Sequence, residues 1–321
     1  MDLVGCDGQS GSRQGVVLSE FALGPHRFSV VDVDLQATTL KLFWKKPDGE
    51  RFDNFHSLAG YLKQSGQRLL FATNAGIFES SFTPCGLLIE DGRELAPLNL
   101  KAGSGNFYLK PNGVFLVEGG GARIVVSEKY SPGAPRVLLA TQSGPLLLMY
   151  GKINSRFAPD STSRRIRSGV GIVTAQRIVF ILSRDPVTFY EFAAVFQSLH
   201  CSQALYLDGT ISRFYQPNGP SASSDEHFAA IFAVLEKQRK LPIAELDVAE
   251  CTRAFSSAST ACVQHGPQAG GSAGRSDGGL IAAGAAPSRC RGGDAISIAK
   301  VAEAEHPVRG GREGPLRNCG R

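Results

Sequence analysis

From residue 16 onward the chain is a succession of short apolar runs, each cut off by glycine, proline, asparagine or aspartate. Runs of that length suit strands, because a helix needs a longer segment and a 3.6-residue rhythm to bury one face. "VVLSEFAL", "FSVVDVD" and "TLKLFWK" over 16–45 show partial two-residue alternation. "RLLFAT" (68–73), "CGLLIEDG" (85–92), "NFYLKPNGVFLVEGG" (106–120) and "ARIVVS" (122–127) predict further strands and hairpins, with turn chemistry at Pro111-Asn112-Gly113. "RVLLATQSGPLLLMYG" (136–151) reads as two strands parted by Ser143-Gly144-Pro145, "SGVGIVTAQRIVFILS" (168–183) as a hairpin, and "QALYL" as a strand leading into Asp208.

Only two segments carry a helical rhythm. In 52–66 Phe55, Leu58 and Leu62 share a face and Gly66 stands near the end. In 188–200 Thr188 and Glu191 form a capping box ahead of Phe189, Phe192, Phe196 and Leu199. His200 ends that segment, where it can meet the last helical carbonyls. The expected fold is α+β, with mixed or antiparallel β-sheets and a few packed helices in a single domain over 16–245. Residues 1–15 read as a flexible N-terminus. Residues 246–321 are rich in Gly, Ala, Ser and Arg, with Phe255 as their single aromatic, so they bury too little apolar surface to offset ordering entropy and read as a disordered tail.

Charge and cysteine usage exclude several functions. The net charge of +5, from 34 basic and 29 acidic residues, is too mild and too dispersed for a nucleic-acid footprint. The seven cysteines form no C-x-x-C pair and no metal-like spacing, which argues against zinc and a disulfide framework, and Cys85 and Cys201 are expected to pack as small hydrophobes. No metal or cofactor is expected, and "GSGNF" (103–107) lacks the lysine and helix of a phosphate loop. The six histidines (26, 56, 200, 227, 265, 306) lie outside the polar turns described next, which weakens a Ser-His-Asp or zinc hydrolase. No apolar run is long enough to span a membrane, and the first residues lack a signal-peptide pattern, so a cytoplasmic location is the default expectation.

Four places break apolar strands with small polar groups: "TNAGIF" (73–78), "QSGP" (142–145), "RRIRSGVG" (164–171) and "LDGTISRF" (207–214). Each sets a strong hydrogen-bonding side chain beside glycine, which suits a pocket built from loops at strand ends. Ordinary turns have the same composition, so pattern alone leaves both readings open.

At these residues the chain resembles the phosphodiester glycosidase family, most closely its bacterial branch of exported proteins. "FATNAGIF", "PCGLLIEDGRELAPLN", "GNFYLKPNGVF", "ATQSGPLLLMYGKI", "RFAPDSTSRRIRSGVGI", "VTFYEFAAVF" and "ALYLDGTIS" follow in that family's order over about residues 26–235. By position, Asn74 and Gly76 match its N-G-F-type strand end, Arg167 and Gly171 its R-T-x-x-G segment, and Asp208, Gly209 and Ser212 its L-D-G-G-G-S. Thr210 and Ile211 stand where glycines are usual and narrow that loop.

The resemblance implies a hydrolase that cleaves a sugar-1-phosphodiester at the anomeric carbon, in cell-envelope or exopolysaccharide metabolism. It implies export if a leader precedes these residues. Asp208 is then the expected general base or nucleophile, Arg167 the phosphate holder, and Asn74 a partner for sugar hydroxyls or phosphate. Gly76, Gln142, Ser143, Gly171, Gly209, Ser212 and Arg213 are the expected pocket, with Arg164 and Arg165 as helpers and Asp160 and Glu79 as turn caps. The expected partner is a carbohydrate phosphodiester, and the oligomeric state is left open. A phosphodiesterase attacking phosphorus and a carbohydrate-binding protein without turnover remain alternatives.

Overall fold

A computed structural model describes residues 11–13, 15–133, 136–208, 212–217 and 227–238. The expected tail over 246–321 and Gly209 lie outside these residues. In chain order the elements are β1 (Gly11–Arg13), β2 (Val16–Leu23), β3 (His26–Asp34), β4 (Thr38–Phe43), α1 (Phe55–Gln64), β5 (Leu69–Asn74), β6 (Leu88–Glu90), β7 (Arg93–Ala96), β8 (Gly113–Glu118) and β9 (Gly121–Val126). There follow β10 (Val137–Ser143), β11 (Leu146–Met149), β12 (Lys152–Ile153), β13 (Ser168–Thr174), β14 (Arg177–Ser183), α2 (Phe189–Ser198), β15 (Gln203–Asp208), β16 (Phe214–Tyr215) and β17 (Ile231–Glu236).

The strands form three sheets, ordered β1-β2-β3-β14-β13-β15-β11-β12, β7-β6-β10-β8-β9 and β16-β5-β17-β4. Every pairing among the described residues is antiparallel, the narrower of the two sheet types anticipated. The three sheets meet over one apolar core. Phe71 of β5, Phe115 of β8, Phe180 of β14 and Phe232 of β17 touch there, with ring centroids 5.5–5.8 Å apart.

Each helix covers the outer face of one sheet. α1 places Phe55, Leu58 and Leu62 against Phe43, Leu69 and Ala233 of the four-stranded sheet. α2 places Phe192 and Phe196 against Val30, Val179 and Ile181 of the eight-stranded sheet. The capping box is present: Glu191 N donates to Thr188 Oγ1 at 3.1 Å, and Thr188 N to Glu191 Oε2 at 2.9 Å. Such a cap contributes about 1 kcal/mol, whereas each buried Phe contributes about 1.5–3 kcal/mol, so packing dominates in holding α2. The backbone N–H of His200, not its ring, donates to the Gln197 carbonyl at 3.0 Å.

Three local expectations are corrected. Residues 11–13, expected in a flexible N-terminus, pair with β2 through a tight turn at Gly15, whose φ of +82° suits glycine. Asn106–Tyr108 is a short 3₁₀ turn, and Asn112 is a buried anchor that donates to the Phe107 carbonyl at 2.9 Å instead of turning a hairpin. β17, absent from the sequence-based expectations, lies between β4 and β5 at the centre of its sheet.

Candidate active site

The first question is whether Arg167 and Asp208 share a face. Ser168, the first residue of β13, sits opposite Asp208, the last residue of β15. Side chains alternate along a strand, so Arg167 points the same way as Gly169 and Gly171, while a register shift between Ser168 and Gly169 interrupts the alternation of β15 just before Asp208. Gly169 and Gly171 lie under the rings of α2, and Ala204 and Tyr206 belong to the α2-side cluster. Arg167 therefore emerges on the α2 side, and Asp208 closes the adjacent strand at the same end, near enough for its charge to act on Tyr206.

A small polar network fixes the main chain around Asp208. Ser212 Oγ donates to the Asp208 carbonyl at 2.7 Å and lies 3.1 Å from Ser168 Oγ, which is 3.2 Å from the same carbonyl. Asn74 Nδ2 donates to Ser168 Oγ at 3.1 Å, while Asn74 Oδ1 accepts the Arg213 N–H at 3.2 Å. Ser143 Oγ donates to the Leu207 carbonyl at 3.0 Å and receives the Ile77 N–H at 3.4 Å. Gly76 permits the approach of these elements, since a Cβ there would lie 2.7 Å from Thr141 Oγ1 and 2.8 Å from the Gln142 carbonyl.

The network assigns positions to several residues expected in the pocket. Asn74 is 1% exposed and its amide is engaged with protein partners on both sides, so it orients the strand ends instead of presenting itself to a sugar. Ser143 and Ser212 are likewise buried braces. Arg213 is tied through its own N–H and through Nη1, which donates to the Ser212 carbonyl at 2.9 Å.

Arg167 carries a buried positive charge beside this network. It is 1% exposed, its Nε donates to the Val187 carbonyl at 2.9 Å, and its Nη2 to the Ser163 carbonyl at 3.1 Å. Its guanidinium lies 3.7 Å from the Phe189 ring centroid and 5.6 Å from that of Tyr206. No ion pair to it forms among the described residues. Burial pulls its pKa down from the ordinary arginine value, with the neighbouring Tyr206 hydroxyl acting in the opposite sense.

Cys85, expected to pack as a small hydrophobe but only half-buried and bonded to Glu79, and Tyr206, for which the sequence raised no site expectation, also belong to this neighbourhood. Burial, the Glu79 carboxylate and the Asp208 charge together push the Cys85 thiol up to about 12. Cys85 Sγ donates to Glu79 Oε1 at 3.4 Å, so it is a protonated thiol and a poor nucleophile near neutral pH. Tyr206 lies two residues before Asp208 in "LYLD", and the Asp208 charge acts on its hydroxyl.

Two expected pocket residues, Gly171 and Gln142, and the two expected helpers, Arg164 and Arg165, make other contacts. A Cβ at Gly171 would meet Phe196 Cδ1 at 2.6 Å and Cys201 Sγ at 2.7 Å, so this glycine lets α2 and the following turn pack closely and lies away from the strand end. Gln142 cross-links the interior: its Oε1 accepts from Leu87 N at 3.1 Å and Asn99 N at 2.9 Å, and its Nε2 donates to Asn99 O at 2.7 Å and lies 3.1 Å from Ser127 Oγ. No hydrogen-bonding capacity is left for a ligand. Arg164 makes a two-pronged pair with Glu191 at 2.7 and 2.8 Å, which anchors the start of α2. Arg165 is exposed and donates to the Arg164 carbonyl at 2.8 Å.

Among the described residues no cluster of His, Cys, Asp and Glu side chains suits a metal ion. No described helix is long and apolar enough to cross a membrane. A cavity of about 210 Å³ opens beside Phe189, lined by Lys110, Pro145, Asn154, Arg156, Phe157 and Tyr190 among others.

Comparisons with known proteins identify the family to which this arrangement belongs. YigE of Escherichia coli K12, described as an uncharacterized protein, is 38% identical over 206 residues, which cover 64% of this chain and 80% of YigE. The catalytic domain of zebrafish N-acetylglucosamine-1-phosphodiester α-N-acetylglucosaminidase, in a form auto-inhibited by its pro-peptide, shares the fold. Its TM-score is 0.50 at 13% identity, over 70% of this chain and 83% of that one. The phosphodiester glycosidase family model matches residues 67–231, just over half of the sequence, and the chain belongs to that family as a glycosidase-type hydrolase.

Proposed function

We propose that this hydrolase cleaves a sugar-1-phosphodiester at the anomeric carbon. The observation that carries the reading is Arg167, a buried guanidinium with no carboxylate partner among the described residues, at the same end of adjacent strands as Asp208. Burying a cation is costly unless an anion meets it. A phosphodiester supplies that anion, and the guanidinium edge suits its oxygens.

The chemistry follows from the leaving group. Water attacks the anomeric carbon, the carbon–oxygen bond to phosphate breaks, and the phosphate monoester departs with the electron pair. The expelled group is the anion of a strong acid, so the step has less need of the general acid that ordinary glycosides require. Asp208 takes the proton from water, or adds directly and is later released by water. Arg167 stabilises the charge that develops on the departing phosphate. A cell-envelope or exopolysaccharide polymer is the expected source of such a linkage.

The reading is tested by incubating the protein with a panel of sugar-1-phosphodiesters in ¹⁸O-labelled water. Free sugar carrying the label supports attack at carbon. Label in the phosphate product makes the protein a phosphodiesterase, and binding without any product makes it a carbohydrate-binding protein.

A further inference from the structure

Tyr206 is fully buried in the middle of the α2-side cluster, yet its hydroxyl has no hydrogen-bond partner. The ring is held firmly: Phe189 meets it edge-on at 4.9 Å, and the Arg167 guanidinium lies 5.6 Å from its centroid. Arg167 and Asn106 stand beside the hydroxyl, but neither completes a hydrogen bond to it. A buried hydroxyl left unmatched costs about 1–3 kcal/mol. A phenylalanine here would fill the same space without that cost.

Burial and the Asp208 charge raise the proton affinity of this phenol, while Arg167 works against them, and the net shift is upward. The hydroxyl is therefore a neutral O–H at any ordinary pH, with a proton to donate. It stands next to the one buried guanidinium described above and two residues along the strand from Asp208.

Resting on the proposed reaction, we infer that Tyr206 is a catalytic residue that donates a hydrogen bond to the departing phosphate, alongside Arg167. The phosphate seat then combines a fixed cation with a fixed neutral donor. Both are held rigid by Phe189 before substrate arrives, so neither has to reorganise as charge builds on oxygen. Such a donor differs from a structural tyrosine in one respect: its O–H proton is unspent in the unliganded fold.

The test is Tyr206→Phe in the full chain, read by two measurements. Calorimetric binding of methyl phosphate, a stand-in for the leaving group, is expected to weaken about 10- to 100-fold, the range of a hydrogen bond to a charged acceptor. Thermal denaturation without ligand is expected to give a midpoint equal to or above that of wild type. Unchanged methyl phosphate affinity in the variant overturns the inference, as does a weakened affinity accompanied by a clearly lower melting temperature. Failure of the wild-type protein to bind methyl phosphate overturns it too. In that event the glycosidase reading stands or falls separately, on labelled sugar released by the wild type.

Discussion

Ser168 stands opposite Asp208 at the paired ends of β13 and β15, and this one register position brings the Arg167 guanidinium and the Asp208 carboxylate to the same end of the sheet. The pairing is irregular at this point, with a register shift between Ser168 and Gly169 that leaves Leu207 as an extra residue on β15. The Asn74–Ser168 and Ser168–Asp208 hydrogen bonds each join two different strand ends and so oppose a slip of register, while Ser212 meets the same Asp208 carbonyl from four residues along the chain.

If Asp208 activates water or attacks carbon, Asp208→Asn loses about 10²- to 10⁴-fold in kcat on a sugar-1-phosphodiester. The fold survives, since the bonds that brace this turn go to the Asp208 carbonyl. Steady-state rates and circular dichroism check both halves, and a rate near that of wild type removes Asp208 from the site.

Arg167→Ala is expected to cost about 10²-fold in kcat/KM on phosphodiesters and far less on neutral aryl glycosides. It also strips donors from the Val187 and Ser163 carbonyls, so some stability is lost as well. Arg167→Lys, which keeps the charge but not the planar fork, provides the same comparison if the alanine variant does not fold. Equal losses on charged and neutral substrates would mark this arginine as purely structural.

Gln142→Ala reports on the interior cross-link. Its four contacts tie Leu87, Asn99 and Ser127 together, and their loss is expected to cost about 2–4 kcal/mol in urea unfolding. KM of the folded enzyme should hold steady. A raised KM with unchanged stability would return Gln142 to the pocket.

Glu90 makes stability depend on pH. Burial and the neighbouring Asp91 raise its pKa from 4.5 to about 7, against the Trp44 N–H, Lys41 and Arg93. The native state thus holds a proton that the unfolded chain has released. Its contribution is fully present below about pH 4.5 and is lost as pH rises toward 7, by up to about 1.4 kcal/mol per pH unit. Glu90→Gln should match wild type in urea unfolding at about pH 4 and exceed it at about pH 8. Parallel pH curves for the two proteins would contradict this.

Local signals account for most elements. The stripe Phe55-Leu58-Leu62, the Thr188-Glu191 box, the partly alternating runs of β2 and β3 and the apolar runs of β13, β14 and β15 are properties of neighbouring residues, and the structure keeps all of these elements. β17 escaped because "IFAVLE" is a short apolar run without alternation, buried on both faces and indistinguishable by periodicity from a piece of helix. The short turn at Asn106–Tyr108 was masked by aromatic residues that also favour strands.

The sequence by itself determined the α+β class, the two helices and the polar breaks at strand ends, because period, capping and turn chemistry act within a few residues. Tertiary structure alone decided which break residues meet. Asn74 and Gln142 look like ligand contacts in the linear chain, yet both are filled by partners tens of residues away, whereas Tyr206 looks like core and keeps an unmatched hydroxyl beside Arg167. Hydrogen-bond capacity is settled by what packs around a group, and that depends on strand register and sheet order, which no local pattern encodes.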